Sequence, residues 1–233
     1  MSAPVQVLGF SGSPYAWRVL IALAEKAVPH QMEWVPHASG RHRSPELLAM
    51  NPRGQLPIVR IGEVTLYESL AVCHFLEATH PSPPLLPLDA PRRALALLRI
   101  HEAEYLVPPL EEAITLGLFT PPAERDPQCL RDANARVRKE LAFWEARFAT
   151  DDAYGRRAGP YLAGDAFSLA DVALYPLVAF CVRCKLRLDE HHPAVGAWYA
   201  ALTERPSVQS TWPPHWRGSA GTDIGLNAVS ERA

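Results

Sequence analysis

The sequence predicts an α/β half followed by an all-helical half, and three observations carry that expectation. Short apolar runs alternate with helix-forming stretches over about the first 80 residues. Prolines 81, 83, 84, 87 and 91 then crowd into one segment that neither continues a helix nor suits a strand interior. Beyond it, apolar residues recur at three and four with charges between them, the pattern of amphipathic helices. The expected organisation is an α/β domain over 1–80, a linker over 81–91, a helical domain over 92–217 and a flexible tail over 218–233, rich in Gly, Ser and charge.

Taken in order, Val5, Val7, Leu8 and Phe10 spell a short buried strand, and Ala16 to Lys26 supplies good helix formers without Gly or Pro. Met32 to Val35 reads as a second strand and Pro45 to Met50 as a short helix. Ile58 to Ile61 and Val64 to Tyr67 form a hairpin around Gly62-Glu63, and Ser69 to Ala78 a helix. The first half is therefore β-α-β-α-β-β-α. After the linker, Ala94 to Phe119 and Leu130 to Phe148 read as two long antiparallel helices, with a loop from Thr120 to Pro127 and an interruption at Pro108-Pro109. Leu169 to Leu186 and Pro193 to Thr203 complete the helical half.

Composition excludes several classes. The 233 residues carry 23 Lys+Arg against 25 Asp+Glu, a formal charge of -2, and 48% are hydrophobic. Near-balanced charge gives no global field to draw in nucleic acid or an anionic membrane surface. No run approaches the ~18–20 apolar residues needed to span a bilayer. The N-terminus lacks the pattern of a secretory signal, so a cytoplasmic protein with its four cysteines (73, 129, 181 and 184) reduced is expected.

Three stretches suggest chemistry. In Phe10-Ser11-Gly12-Ser13-Pro14-Tyr15, between the first strand and helix, Ser13-Pro14 reads as N-cap and N1. A serine there is favoured on structural grounds, yet it also sits where a helix N-terminus stabilises an anion. In Asn51-Pro52-Arg53-Gly54-Gln55-Leu56-Pro57, a turn runs into a proline at a strand entry, where a cis bond is plausible. In Leu66-Tyr67-Glu68-Ser69-Leu70, a strand leads directly into a helix whose first N–H groups can hold a carboxylate.

In this order and within this plan, the three stretches resemble the glutathione S-transferase family, and Gly159-Pro160-Tyr161-Leu162-Ala163-Gly164-Asp165-Ala166-Phe167-Ser168-Leu169-Ala170-Asp171 is similar to the segment that opens the family's sixth helix. The resemblance covers about residues 4–212. It implies a thioredoxin-like N-terminal domain holding glutathione as co-substrate, an all-helical C-terminal domain with a pocket for an apolar electrophile, a homodimer, and no metal. Ser13 matches the serine that bonds the glutathione sulfur in serine-type (theta, zeta or tau-like) classes, with Ser11 the alternative where loop length differs. Leu56 before Pro57 matches the residue whose backbone pairs with the cysteinyl unit. Glu68-Ser69 match the pair that grips the γ-glutamyl end, while His42 and Gln55 fall near the glycyl carboxylate. Tyr15, Tyr105, Leu106 and Phe119 are candidates for the electrophile pocket.

The implied activity is activation of glutathione as a thiolate for conjugation to an electrophilic carbon. A glutathione-dependent cis-trans isomerase of the maleylacetoacetate type is the enzymatic alternative, because Trp17-Arg18 after a serine is similar to that class, although its Ser-Ser-Cys is replaced here. A non-catalytic binding or scaffold protein of the same fold is the other. Cys181-Val-Arg-Cys184 has redox or zinc spacing but lies in a helical pattern with no second pair to support it, and His191-His192 are expected to be solvated. Ser168 to Asp171 reads as a capping box with Asp in place of Glu, and Trp212 and Trp216 as packing residues of the chain end.

Overall fold

A computed structural model of the chain describes residues 4–149 and 159–227. They form two compact units. One comprises the chain up to Leu86 together with Arg205–Ser219, the other Pro87–Glu204 with the residues from Ala220 onward.

The first unit is a four-stranded sheet in the order β2-β1-β3-β4, with β1 at Val5–Gly9, β2 at His30–Trp34, β3 at Ile58–Ile61 and β4 at Val64–Tyr67. Strand β1 pairs parallel with β2 and antiparallel with β3, which pairs antiparallel with β4. The parallel pair needs a crossover, and α1 (Pro14–Glu25) provides it. Every residue of α1 from Ala16 to Leu23 is buried, which is why its sequence is apolar almost all round. Gly9 permits the close approach of helix to strand, since a Cβ there would lie 2.9 Å from both Ala16 Cβ and Met32 Cε. Leu8, Val35, Leu47, Leu56 and Ile58 form a buried cluster that seats α2 (Pro45–Met50) beside the sheet. Helix α3 (Ser69–Thr79) packs against α1.

The proline-rich segment is anchored at its start. Lys26 Nζ lies 2.7 Å from Glu77 Oε2 and donates to His80 O and Pro83 O, while the same carboxylate accepts from the N–H groups of Leu85 and Leu86. Burying this pair is tolerable because each charge is paired and its remaining valences are filled. Helix α4 (Ala90–Ala103) begins before the proline-rich run has ended, capped by Asp89.

In the second unit α4 leads through a 3-10 turn at Glu104–Leu106 into α5 (Val107–Ile114), so the expected interruption at Pro108-Pro109 falls just before those prolines. A π-helical turn follows at Thr115–Phe119, then α6 at Pro127–Ala149 and α7 at Leu169–Arg183. The Ser168–Asp171 capping box forms as the sequence predicts: Ser168 Oγ accepts from Ala170 N and donates to Asp171 Oδ2, and Asp171 also accepts from Ser168 N, Leu162 N and Trp198 Nε1. Burial pushes the Asp171 carboxyl above its ordinary value, and these donors oppose that shift. Short α8 (Leu188–His191) precedes α9 (Pro193–Thr203), whose first N–H groups are taken by the Glu145 carboxylate.

Three expectations are corrected. The segment Arg205–Ser219, placed by sequence in the helical half, clusters with the first unit, where α10 (Pro206–Ser210) lies against α1. Arg205 pairs with Glu25, and Trp212 and Trp216 meet Trp17 edge-on at 5.2 and 5.5 Å between ring centres. Residues 220–227 of the expected tail are packed rather than loose: Ile224 and Leu226 are buried, and Asn134 Nδ2 and Arg138 donate to their carbonyls. Residues 228–233 lie outside the described part. His192, expected to be solvated, is buried.

Candidate active site

Strand pairing decides which loops meet. Ile58 sits between Leu8 on one side and Tyr67 on the other. Because β3 runs against both neighbours, the residues just before Ile58, just after β1 and just after β4 all emerge at one end of the sheet. Those are Leu56-Pro57, Phe10 to Ser13, and Glu68-Ser69. Strand β2 runs parallel to β1, so the segment after it, carrying His37 and His42, leaves at the same end. The three motifs read separately from the sequence are thus brought together by topology.

The first loop is a four-residue turn from Phe10 to Ser13, closed by Ser13 N–H to Phe10 O at 3.2 Å. Gly12 sits at φ +80 in its third position, where a type II turn needs glycine. A Cβ at Gly12 would also lie 2.7 Å from His215 Cε1 and 2.8 Å from Trp216 Nε1. Ser13 is the N-cap of α1 with Pro14 at N1. Its Oγ accepts from Ala16 N at 3.4 Å, long for a cap. Among the described residues this is the one hydrogen bond of the Ser13 side chain, so its hydroxyl proton remains to be donated. Ser11 is placed differently, with Oγ 2.6 Å from His215 Nδ1. Tyr15 is half-buried beneath the Arg18 guanidinium, 5.5 Å from the ring centre.

At the second loop the Leu56-Pro57 peptide is cis. Buried Asn51 shapes the approach: its Nδ2 donates to Gln55 O and its Oδ1 accepts from Arg53 N. The Gln55 side chain is exposed, and Leu56 is buried. At the third loop Glu68 adopts φ 67, ψ 103, uncommon for a residue with a side chain. Such backbone costs on the order of 1–3 kcal/mol and tends to persist where the local geometry is used. It starts α3 at Ser69, which is buried, while the Glu68 carboxylate is exposed.

His42 follows in a 3-10 turn at Arg41–Arg43. Its ring stacks on His37 at 5.4 Å and meets Phe10 edge-on at 5.3 Å, and its Nδ1 is sheltered from water without a protein partner among the described residues. Burial, then neighbouring His37 and Arg43, holds its imidazole below the ordinary histidine value.

In the helical unit Tyr105 and Phe119 are exposed, whereas Leu106 is fully buried and belongs to the core rather than to an open wall. Cys73, Cys181 and Cys184 are buried and Cys129 is exposed, all as free thiols. No group of His, Cys, Asp or Glu among the described residues is arranged to hold a metal ion. No helix among them is long and apolar enough to cross a membrane.

Comparison with known proteins accounts for both halves. Residues 12–79 match the glutathione S-transferase N-terminal domain and residues 107–206 the C-terminal domain. Glutathione S-transferase A of Pleuronectes platessa is 35% identical over 219 residues, covering 93% of this chain and 94% of that protein. The chain belongs to the glutathione S-transferase family. Among solved structures, a glutathione S-transferase of the Antarctic clam Laternula elliptica aligns with a TM-score of 0.84 at 30% identity, covering 97% of this chain and 99% of that one. The theta-class glutathione S-transferase of Xanthomonas axonopodis pv. citri, solved with glutathione bound, aligns with a TM-score of 0.76 at 27% identity over 91% and 98%. The first unit is thus the thioredoxin-like domain of a glutathione transferase and the second its helical domain. Sequence reasoning missed two features of the site, the backbone of Glu68 and the partner of Ser11. Gly12 was the available signal for a tight turn there, but nothing local points to His215, 204 residues away.

Proposed function

We propose that the chain binds reduced glutathione at the loop end of its sheet, ionises the thiol and adds the thiolate to an electrophilic carbon of an apolar small molecule. The observation that carries this is the Ser13 hydroxyl, held at the N-terminus of α1 with its proton uncommitted. A thiol of pKa near 8.5 is only a few per cent ionised at neutral pH, and the thiolate is the nucleophile. Lowering that value by about two units takes roughly 2.7 kcal/mol. A hydrogen bond from Ser13 to the sulfur, about 1.5–3 kcal/mol when the acceptor is charged, with a helix N-terminus worth about 0.3–1, is of that size.

In this reading the Leu56 backbone pairs with the cysteinyl unit beside Pro57. Ser69 and the first N–H groups of α3 hold the γ-glutamyl carboxylate, with Glu68 on its ammonium. His42 and Gln55 serve the glycyl end. In the helical unit the exposed residues Tyr105 and Phe119 are the surfaces offered to the acceptor, and the protein acts as a cytoplasmic homodimer, as is usual in the family. Trp17 and Arg18, which suggested the isomerase, are both buried. Trp17 Nε1 donates to Thr211 Oγ1 at 2.9 Å, so packing accounts for its presence.

The test is conjugation of glutathione to an activated aryl halide by wild type, Ser13→Ala and Ser11→Ala. A kcat/KM loss on the order of 10–100-fold in Ser13→Ala, with glutathione affinity retained, supports the assignment. Full activity in Ser13→Ala with loss in Ser11→Ala would move the sulfur contact to Ser11. Absence of turnover together with fast isomerisation of maleylacetoacetate would replace conjugation by the alternative.

A further inference from the structure

Ser11 and His215 form a pair that the proposed reaction has not yet used. Their contact is 2.6 Å from Oγ to Nδ1, a hydrogen bond in which Nδ1 is the acceptor when the imidazole carries its proton on Nε2. The sequence goes to some length to build it. Gly12 gives the turn its positive φ and leaves room where any Cβ would strike the imidazole. Trp17, Trp212 and Trp216 interlock at 5.2 to 6.0 Å and fasten the segment after α10 onto α1. Trp17 Nε1 bonds Thr211, and Ser219 Oγ donates to His215 O at 2.6 Å, fixing the backbone on both sides of the histidine. Ser11 belongs to the turn that carries Ser13, and both members of the pair lie within one compact unit.

We propose that His215 is the proton acceptor of this enzyme, acting through Ser11: as glutathione binds, its thiol proton passes to Ser11 Oγ while the Ser11 hydroxyl proton passes to His215 Nδ1. The S–H bond breaks, a new O–H bond replaces the one Ser11 gives up, and an N–H bond forms on the imidazole. Ser11 ends neutral, the sulfur carries the negative charge and His215 the positive one. Ser13 then has a single task, to donate to the thiolate. His215 is exposed, so the imidazolium can discharge its proton to water once the thiolate has reacted. A cation one hydroxyl away also favours the thiolate at pH values where an isolated thiol stays protonated.

Several other ionisable groups stand on the elements packed beside the pair. On α1 they are Tyr15, Arg18 over the Tyr15 ring, and Glu25, which is engaged by Arg205 and Ser207. On the returning segment Arg217 donates to Gln209 O. Beside Phe10 stand His37 and His42.

The inference rests on the proposed glutathione site, and its test separates the two. Binding of S-methylglutathione, which has no thiol proton, is measured by calorimetry for wild type, His215→Ala and His215→Gln. Ionisation of bound glutathione is then followed through the ultraviolet absorbance of the thiolate as a function of pH, alongside kcat/KM. The expected result is unchanged affinity for S-methylglutathione, a thiol ionisation moved up by about one pH unit in both variants, and kcat/KM about tenfold lower at pH 6.5 that converges on wild type at alkaline pH. Added imidazole is expected to restore part of the loss in His215→Ala. Unchanged thiol ionisation in both variants, with S-methylglutathione still bound, would overturn the relay and leave the glutathione site standing. Failure of wild type to bind S-methylglutathione would overturn the site itself, and the relay with it.

Discussion

Three helices among the described residues begin with a serine cap, at Ser13, Ser44 and Ser168, and the caps of α1 and α7 are used in opposite ways. At α7, Ser168 is 1% exposed; its oxygen accepts a backbone N–H and its proton goes to Asp171, which gathers three further N–H donors. Every valence is filled inside the helical unit. At α1, Ser13 is half-buried, accepts one long bond and spends no proton. A completed cap serves the fold, whereas an uncommitted hydroxyl at a helix N-terminus is available to a ligand.

That contrast can be broken most severely at α7. Asp171→Ala leaves the N–H groups of Leu162 and Ser168 and the Trp198 indole buried without an acceptor, and is expected to cost on the order of 3–5 kcal/mol, read as a lower urea midpoint. A loss below about 1 kcal/mol would mean the network is not the anchor described. Next in size, Ser13→Ala is expected to lower kcat/KM by about 2 kcal/mol equivalent while costing stability only about 1 kcal/mol. Ser168→Ala gives the reverse profile, about 1–2 kcal/mol of stability with unchanged kcat/KM in the protein that remains folded.

The smallest effect concerns His42. Its folded value lies below its unfolded one, so the neutral form is favoured, and the associated stability is present above the unfolded value and lost as pH falls through it toward the folded value. A ligand carboxylate placed on His42 reverses that preference. S-methylglutathione binding near pH 6 is therefore expected to take up protons, measured by calorimetry in buffers of different ionisation enthalpy. His42→Gln should abolish the uptake and weaken binding by only about two- to fivefold.

Much of this was legible in the sequence because it is local. Periodicity found the β-α-β-α-β-β-α order, the Pro45–Met50 helix and the hairpin around Gly62-Glu63, and Ser168 with Asp171 announced their box by spacing alone. Ser13 declared itself a cap in the same way, but not that its proton is unspent, which depends on what fails to reach it in three dimensions. The return of Arg205–Ser219 to α1 was invisible, since Trp17 and Trp216 are joined by packing across the whole chain rather than by any pattern near either. The core position of Leu106 escaped notice for a related reason: at the edge of an interrupted helix, the apolar period does not say which face is inside.

The central claim is that the turn ahead of α1 stabilises a thiolate. The most direct measurement is the ultraviolet absorbance of the thiolate in bound reduced glutathione as a function of pH, with bound S-methylglutathione as the blank. The account predicts that the bound thiol ionises about two pH units below the free one. Ionisation of bound glutathione at the pH of the free thiol would contradict it.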